Sequence, residues 1–377
     1  MVSASSVQES RDALRSDVSA FVAEWRESGR FVPRLDSWMR SHNRDFSKAL
    51  GERGWIGVTW PTEFGGGGQD NISRLIITEE LLRGGAPVAA HWFADRQIGP
   101  AILRFGSSEL QREFLPRIAR GETTFCVCMS ETEAGSDLAA VRTKARLEGG
   151  TWLINGHKIW TTYAHVSDFA YVLARTDDSG PKHVGLTEFI VDMSDPGVTV
   201  RPILDLNGEH HFNEVFFEDV PVDPSRVIGD VGSGWQQVTE QLSFERGGAE
   251  RVLSVYPLLV AILDSLTDGD VTDLAVDTFG RLAARLAGLR QMTWNVALAL
   301  DAGQAPKREA AVLKYLGTRF EQDTADALRR AFDIAPDSKV GVAGLLSQAL
   351  MASPAFTIQG GTTEMLLTII SRSEISS

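Results

Sequence analysis

The segment Met129-Ser130-Glu131-Thr132-Glu133-Ala134-Gly135-Ser136-Asp137 follows an apolar, β-type run and ends in small residues with hydroxyl groups. A strand that exits into such a loop can present backbone N–H groups and hydroxyls to an anionic or heteroaromatic ligand. Taken alone, it is also an ordinary polar loop. A second segment, Asn155-Gly156-His157-Lys158-Ile159-Trp160-Thr161-Thr162, reads as a turn followed by a strand that carries an indole beside hydroxyls. That pairing suits the face and edge of a flat ligand, although core packing is the commoner role of a tryptophan. A third segment, Leu242-Ser243-Phe244-Glu245-Arg246, sets a carboxylate beside a guanidinium, which by itself describes a solvated helix face. Metal chemistry has little support. His157 and His165 lie eight apart across a turn, His210 and His211 are adjacent, and no Cys-x-x-Cys or His-Glu-x-x-His occurs. The run Phe64-Gly65-Gly66-Gly67-Gly68 lacks the Lys-Ser/Thr ending of a phosphate loop and the spacing of a dinucleotide fingerprint. It reads as a flexible loop.

The elements that must position these segments fall into three stretches. Over the first ~120 residues apolar positions recur every three to four, as in Val18-Phe21-Val22-Trp25 and Leu75 to Leu82, the period of helices. From about Thr123 to Val222 the pattern changes to short β-rich runs: Phe125 to Met129, Trp152 to Ile154, Phe169 to Ala174, Glu188 to Val191 and Glu214 to Phe217. Asn155-Gly156 and Asp195-Pro196-Gly197 separate them as turn signals. After Gly234-Trp235 helical periodicity returns, with breaks at Pro306 and around Ala335-Pro336-Asp337. The expected fold is a multidomain α+β protein: a helical domain over 1–121, a β-barrel or sandwich domain over 122–232 and a helical bundle over 233–377. No repeat of 20–50 residues suggests a solenoid or propeller.

Composition sets the outer bounds. The 377 residues, 43% hydrophobic and 23% charged, are those of a globular protein with enough apolar surface for large cores. The longest strongly apolar stretch, Pro257 to Leu263, is far short of the roughly 20 residues that span a bilayer. Met1 to Arg11 is polar and contains acidic residues, unlike a signal or transit peptide, so a cytoplasmic location is expected. Cys126 and Cys128 alternate along one apolar run and read as reduced packing residues. A net charge of −13 argues against nucleic acid as a partner. A polyanionic ligand would need local arginines.

Together the first two segments resemble the acyl-CoA dehydrogenase family, in which a Thr/Ser-Glu-x-x-Ala-Gly-Ser-Asp loop and an Asn-Gly-x-Lys-x-Trp-Ile-Thr strand cradle the FAD ring. The likeness extends through Phe105-Gly106 to Phe114-Leu115-Pro116 and Gly121-Glu122, Asn213 to Val222, Gly229 to Trp235, and Gly360-Gly361-Thr362-Thr363-Glu364. The resemblance implies that Met129 and Ser130 contact the flavin ring and that Ser136 serves the diphosphate or the substrate's pantetheine. It also implies that Trp160, Thr161 and Thr162 cover the other flavin edge, while Thr362 and Glu364 touch the adenosine half. Thr132 departs from the family's usual proline and leaves that loop less rigid.

The implied reaction is α,β-dehydrogenation of an acyl-CoA, or acyl-carrier, thioester to the trans-2-enoyl thioester, which needs a carboxylate beside the substrate Cα. Many family members carry it immediately before the C-terminal Gly-Thr, but here that position is Gly360. Isovaleryl- and long-chain-type members place it instead early in the helix after the β domain, directly before an arginine. On that pattern Glu245 is the base and Arg246 the contact for the CoA end of the substrate.

Family members also complete each flavin site with a neighbour's Arg-x-x-Phe-Gly loop and Gln-x-x-Gly-Gly-x-Gly segment. Here Val276 stands in place of that arginine before Thr278-Phe279-Gly280, and the stretch from there to Gly303 reads as too short for the usual helix. Val342 to Leu346 and Pro354 to Phe356 replace the second segment. A retained base with lost loops is similar to the base-bearing subunit of actinobacterial heteromeric dehydrogenases acting on steroid side chains. The resemblance therefore implies an α2β2 assembly with a homologous subunit, or else a homo-oligomer, with an electron-transfer flavoprotein as acceptor. Acyl-CoA oxidase, and a non-catalytic subunit completing a partner's site, are the alternative readings.

Overall fold

The computed structural model describes residues 4–245, 247–267, 272–335 and 340–375. Among these, helices come first: α1 (Ala4–Glu27), α2 (Ser37–Arg40), α3 (Arg44–Glu52), α4 (Asn71–Arg83), α5 (Ala89–Phe93), α6 (Gly99–Phe105) and α7 (Ser108–Ala119). Strands follow: β1 (Phe125–Cys128), β2 (Lys144–Glu148), β3 (Thr151–Thr162), β4 (Phe169–Arg175), β5 (Leu186–Asp192), β6 (Val198–Leu204), β7 (His210–Val222) and β8 (Val227–Ile228). The chain then returns to helices: α8 (Gly234–Glu245), α9 (Glu250–Leu253), α10 (Tyr256–Ser265), α11 (Asp273–Asp301), α12 (Lys307–Phe332), α13 (Gly341–Phe356) and α14 (Thr363–Ile375). Side-chain caps fix several starts. Asn43, Asp70 and Ser107 accept from the backbone N–H groups of Phe46, Ser73 and Leu110, each satisfying a donor that the first turn leaves open.

Two compact units emerge, and each is discontinuous in sequence. The first comprises 1–42, 69–88 and 243–377; the second comprises 43–68 and 89–242. In the first, α4 packs on α1 and α11, and α12 packs on α11, α13 and α14. Glu79 on α4, only 3% exposed, binds Arg15 of α1 at 2.8 Å and Arg290 of α11 at 2.9 Å. One buried carboxylate thus ties three helices.

The second unit is built around one mixed sheet, ordered β6-β7-β3-β2-β4-β5-β8, with β1 pairing parallel to β4. Its apolar face buries Cys126, Cys128, Trp152, Val172, Phe189, Val215 and Phe217. Both cysteines are free thiols, as the sequence suggests.

Several local expectations are corrected. Asn155-Gly156 is not a turn but lies inside β3, where the register against β7 shifts between Ile154 and Gly156. A Cβ at Gly156 would sit 2.3 Å from the Thr143 hydroxyl and 2.7 Å from its Cα, so this glycine serves close strand approach. Gly65 to Gly68 is tightly packed rather than loose: a Cβ at Gly66 would lie 2.4 Å from the Trp60 carbonyl oxygen, and at Gly67 2.8 Å from that of Val58. Thr278-Phe279-Gly280 is no loop remnant, because it lies within the 29-residue α11, which also shows that this stretch is long enough for a full helix.

Candidate active site

In the second unit the two ring-binding segments of the sequence reading lie side by side. The chain leaves β1 at Cys128 and makes a tight turn, with Glu131 N–H donating to the Ala134 carbonyl at 3.0 Å and Ala134 N–H to that of Glu131 at 3.1 Å. The Ser130 carbonyl accepts from Ile159 N–H at 3.0 Å, which joins the loop to β3. The stronger tie is Lys158. Its ammonium is fully buried and donates to the carbonyls of Met129 at 3.0 Å and Leu173 at 2.8 Å, and to Glu131 Oε1 at 2.9 Å. The Glu131 carboxylate also accepts from the backbone N–H groups of Arg142 at 2.6 Å and Thr143 at 2.9 Å. Burial works against this carboxylate, but Lys158 and the N–H donors outweigh it and hold its pKa below the usual range. Burial lowers the Lys158 pKa against the pull of Glu131. The Lys158 ammonium and both Glu131 oxygens all find partners, which fixes the loop against β3.

Trp160 follows two residues later. A second register shift against β7 falls between Lys158 and Thr161, and there Trp160 adopts φ 59° and stands 56% exposed. A bulky residue at positive φ within a strand is costly and is found where a site requires it. Phe212 meets its indole edge-on at 5.8 Å, leaving a broad aromatic surface. Thr161 and Thr162 are buried, with the Thr161 hydroxyl 3.7 Å from Cys128 Sγ and its carbonyl accepting from Asn213. Gly135 and Ser136 are exposed, and nothing lies within 4 Å of a Cβ added to Gly135. A rigid polar loop beside an exposed indole is a seat for a flat heteroaromatic group.

The first unit carries the remaining candidates. Thr362 precedes α14 and its hydroxyl accepts from Met365 N–H at 3.4 Å; Glu364 is exposed in the first turn. Lys314, fully buried, donates to the Gly361 carbonyl at 2.7 Å. A Cβ at Gly360 would lie 2.6 Å from Arg251 Nη2. Arg251 is itself buried, stacked 4.8 Å over Trp38 within a cluster that includes Asp36, Arg40, Ser254 and Glu321. Burial raises Glu321 to about 8 and Asp36 to about 6, the latter despite Arg40 and Arg251. Glu245 closes α8, but its side chain, and Arg246 altogether, lie outside the described residues.

The sequence reading missed Lys158 and Glu131 as the clamp. Their signal is a lysine set within an apolar strand, which a buried counter-charge must explain. An open groove of about 440 Å³ lined by Arg44, Arg117, Glu122, Asp168 and neighbours includes none of the predicted site residues. There Arg44 and Asp168 satisfy one another at 2.9 to 3.1 Å, which marks a structural clamp.

Family models for the N-terminal, middle and C-terminal domains of acyl-CoA dehydrogenase match residues 8–122, 126–220 and 272–375. The chain belongs to the acyl-CoA dehydrogenase family. FAD is the cofactor of this family, and the Trp160 surface and its clamped loop fit a flat ring of that kind. Among relatives, "Acyl-CoA dehydrogenase IpdE1" of Mycobacterium tuberculosis is 42% identical over 204 residues, covering 54% of this chain and 53% of its own. The chain spans about half the length of the first curated relatives it matches. The solved "Tcur3481-Tcur3483 steroid ACAD" is 25% identical with a TM-score of 0.86, covering 100% of this chain and 98% of its own. The ChsE4-ChsE5 complex from Mycobacterium tuberculosis is 26% identical with a TM-score of 0.83, covering 98% and 97%. No described helix is long and apolar enough to cross a membrane.

Proposed function

We propose that this acyl-CoA dehydrogenase family member desaturates the α,β bond of an acyl thioester, most simply of CoA, with Glu245 removing the α-proton. The observation that carries the reading is the strained, exposed Trp160 beside a loop locked by Lys158 and Glu131. Bound FAD supplies the acceptor for the hydride that leaves Cβ. Met129, Ser130, Trp160, Thr161 and Thr162 hold its ring, Ser136 the diphosphate or pantetheine, and Thr362 and Glu364 the adenosine half. Gly360 narrows the choice of base, because Arg251 fills the space a carboxylate there would need. Glu245, directly before Arg246, takes that role, and Arg246 binds the CoA end. A positioned base of this kind contributes roughly 10²–10⁴-fold. The domains are 1–121, 122–232 and 233–377 and the protein is cytoplasmic. Electrons pass to an electron-transfer flavoprotein, and a homologous subunit completes an α2β2 assembly; likeness to solved structures named by two components supports the pairing.

Glu245→Gln tests the base: the flavin-loaded variant keeps its absorbance and substrate binding but loses at least 100-fold in turnover, a size set by the general-base contribution of about 10²–10⁴. Normal turnover overturns the assignment. The spectrum of the purified chain, alone and co-expressed with a homologous subunit, tests the assembly. Colourless protein that turns yellow with the partner is expected; yellow protein alone points to a homo-oligomer.

A further inference from the structure

Lys314 sits on the buried face of α12 in the first unit, fully enclosed, and the proposed chemistry leaves it unused. An ammonium placed there must find acceptors. One of them is the Gly361 carbonyl at 2.7 Å, in the turn between α13 and α14. About two turns further along α12, on the same side, Gln322 Nε2 donates to the Ser353 carbonyl at 2.8 Å and to the Thr357 hydroxyl at 3.5 Å. Both acceptors belong to the end of α13, where the last carbonyls have no partner within the helix. Thr363 N–H then closes the turn on the Thr357 carbonyl at 3.1 Å. α12 therefore holds the turn where it begins, through Gln322, and where it ends, through Lys314.

The turn needs an outside hold. Gly360 and Gly361 adopt φ 68° and 103°, a region that favours glycine, and neither has a side chain with which to anchor itself. The peptide from Gly361 to Thr362 is trans, so its C=O and N–H point in opposite directions. Drawing the carbonyl in to the buried ammonium therefore turns the Thr362 N–H away from α12. The other main-chain and side-chain oxygens of Thr362 serve α14: its hydroxyl accepts from Met365 N–H at 3.4 Å and its carbonyl from Leu366 N–H at 3.0 Å. Among the described residues no acceptor meets the Thr362 N–H. It is the donor whose direction the turn fixes, at a residue already assigned to the adenosine half of the flavin.

We propose that Lys314 is a positioning residue for the adenosine half: by holding the Gly361 carbonyl inward it directs the Thr362 N–H to an oxygen of that half. The inference rests on Thr362 meeting the adenosine half, as proposed above. Lys158 does the same for the carbonyl of Met129, so each candidate flavin segment has one carbonyl fixed by a buried ammonium.

The test is the preference of the flavin-binding protein, stripped of its flavin, for FAD over FMN, which lacks the adenylate. It is read as the ratio of the two Kd values from flavin fluorescence for wild type, Lys314→Met, Gly361→Ala and Thr362→Pro. General loosening of the helices weakens both flavins alike and leaves the ratio where it was, whereas a lost adenosine contact moves FAD alone. Lys314→Met is expected to lower the preference about tenfold, the scale of one hydrogen bond. Thr362→Pro deletes the N–H itself just ahead of α14, where no helix hydrogen bond is lost, and should lower it to the same extent. Should Lys314→Met fail to fold, Gly361→Ala carries the comparison, because alanine is strained at φ 103° and displaces the same carbonyl. A preference that falls in Thr362→Pro but stays at the wild-type value in Lys314→Met and Gly361→Ala overturns the positioning role and keeps the adenosine reading. A fall in Lys314→Met with none in Thr362→Pro overturns the N–H as the contact. A preference unchanged in all three variants removes the adenosine reading, and the positioning role with it.

Discussion

A lysine in the middle of a strand, with no solvent to stabilise its charge, is affordable only when its surroundings are complete, and Lys158 has three acceptors for its three protons. Two are backbone carbonyls, one of them Met129 at the mouth of the candidate flavin loop, so the same ammonium serves stability and site geometry. Replacing it tests both. Lys158→Met leaves the Glu131 carboxylate buried with only backbone N–H partners, and breaking a buried pair from one side costs about 3–5 kcal/mol. The expected result is a drop of that size in denaturant unfolding, together with loss of bound flavin in whatever folds. Full flavin content in a destabilised Lys158→Met would show that the loop holds its shape without the clamp. Arg251 makes a related point: its buried guanidinium stands where a Cβ on Gly360 would come, 2.6 Å from Nη2, so a larger residue at 360 would have to displace it.

Among the elements, β3 carries three of the candidate ring-binding residues, Trp160, Thr161 and Thr162. Its two register shifts bracket Lys158 and turn Trp160 outward, and a regular strand could do neither. Glycine roles here separate cleanly by substitution. Gly156→Ala places a Cβ against the Thr143 backbone and is expected to cost about 1–3 kcal/mol, as overpacking does. Gly135→Ala meets open space and should shift thermal stability by less than about 0.5 kcal/mol. If Gly135→Ala nonetheless weakens flavin retention, a ligand approaches there; if retention is unchanged, Gly135 is permissive. The helical, β, helical order is legible in the sequence because apolar period switches from 3.6 to 2 and back. Strands β2 and β6 were not. Lys144-Ala145-Arg146-Leu147-Glu148 is mostly exposed and charged, and Val198 to Leu204 is an edge strand that tolerates Pro202, so neither presents the apolar run that betrays a buried strand. The candidate ring-binding segments stand out as motifs, yet the bulges and the Lys158–Glu131 pair that set their geometry depend on partners distant in sequence.

At the scale of the molecule, sequence order and compactness part company. The first unit unites residues 1–42 and 69–88 with 243–377, so the C-terminal helices share a core with the N-terminal ones. The apolar side of α4 is buried almost throughout, from Ile72 to Leu82, and α11 packs on it. Glu79 links them through Arg290, and reaches α1 through Arg15. A fragment of 243–377 alone would expose that interface and leave Arg290 without its buried counter-charge. Its own helices would have to offset the loss of a whole packed layer, where a domain's net stability is only about 5–15 kcal/mol. The expected outcome is that residues 243–377, expressed alone, show helical circular dichroism without a cooperative thermal transition, and that a mixture with a fragment of residues 1–88 restores one. A cooperative transition in the lone fragment would instead establish the C-terminal bundle as self-standing. The first outcome would also give Glu79 a measurable weight, since Glu79→Ala in the two-fragment mixture removes the only carboxylate that binds both Arg15 and Arg290 among the described ion pairs, and should weaken fragment association roughly 10-fold or more, as loss of a partly buried ion pair does.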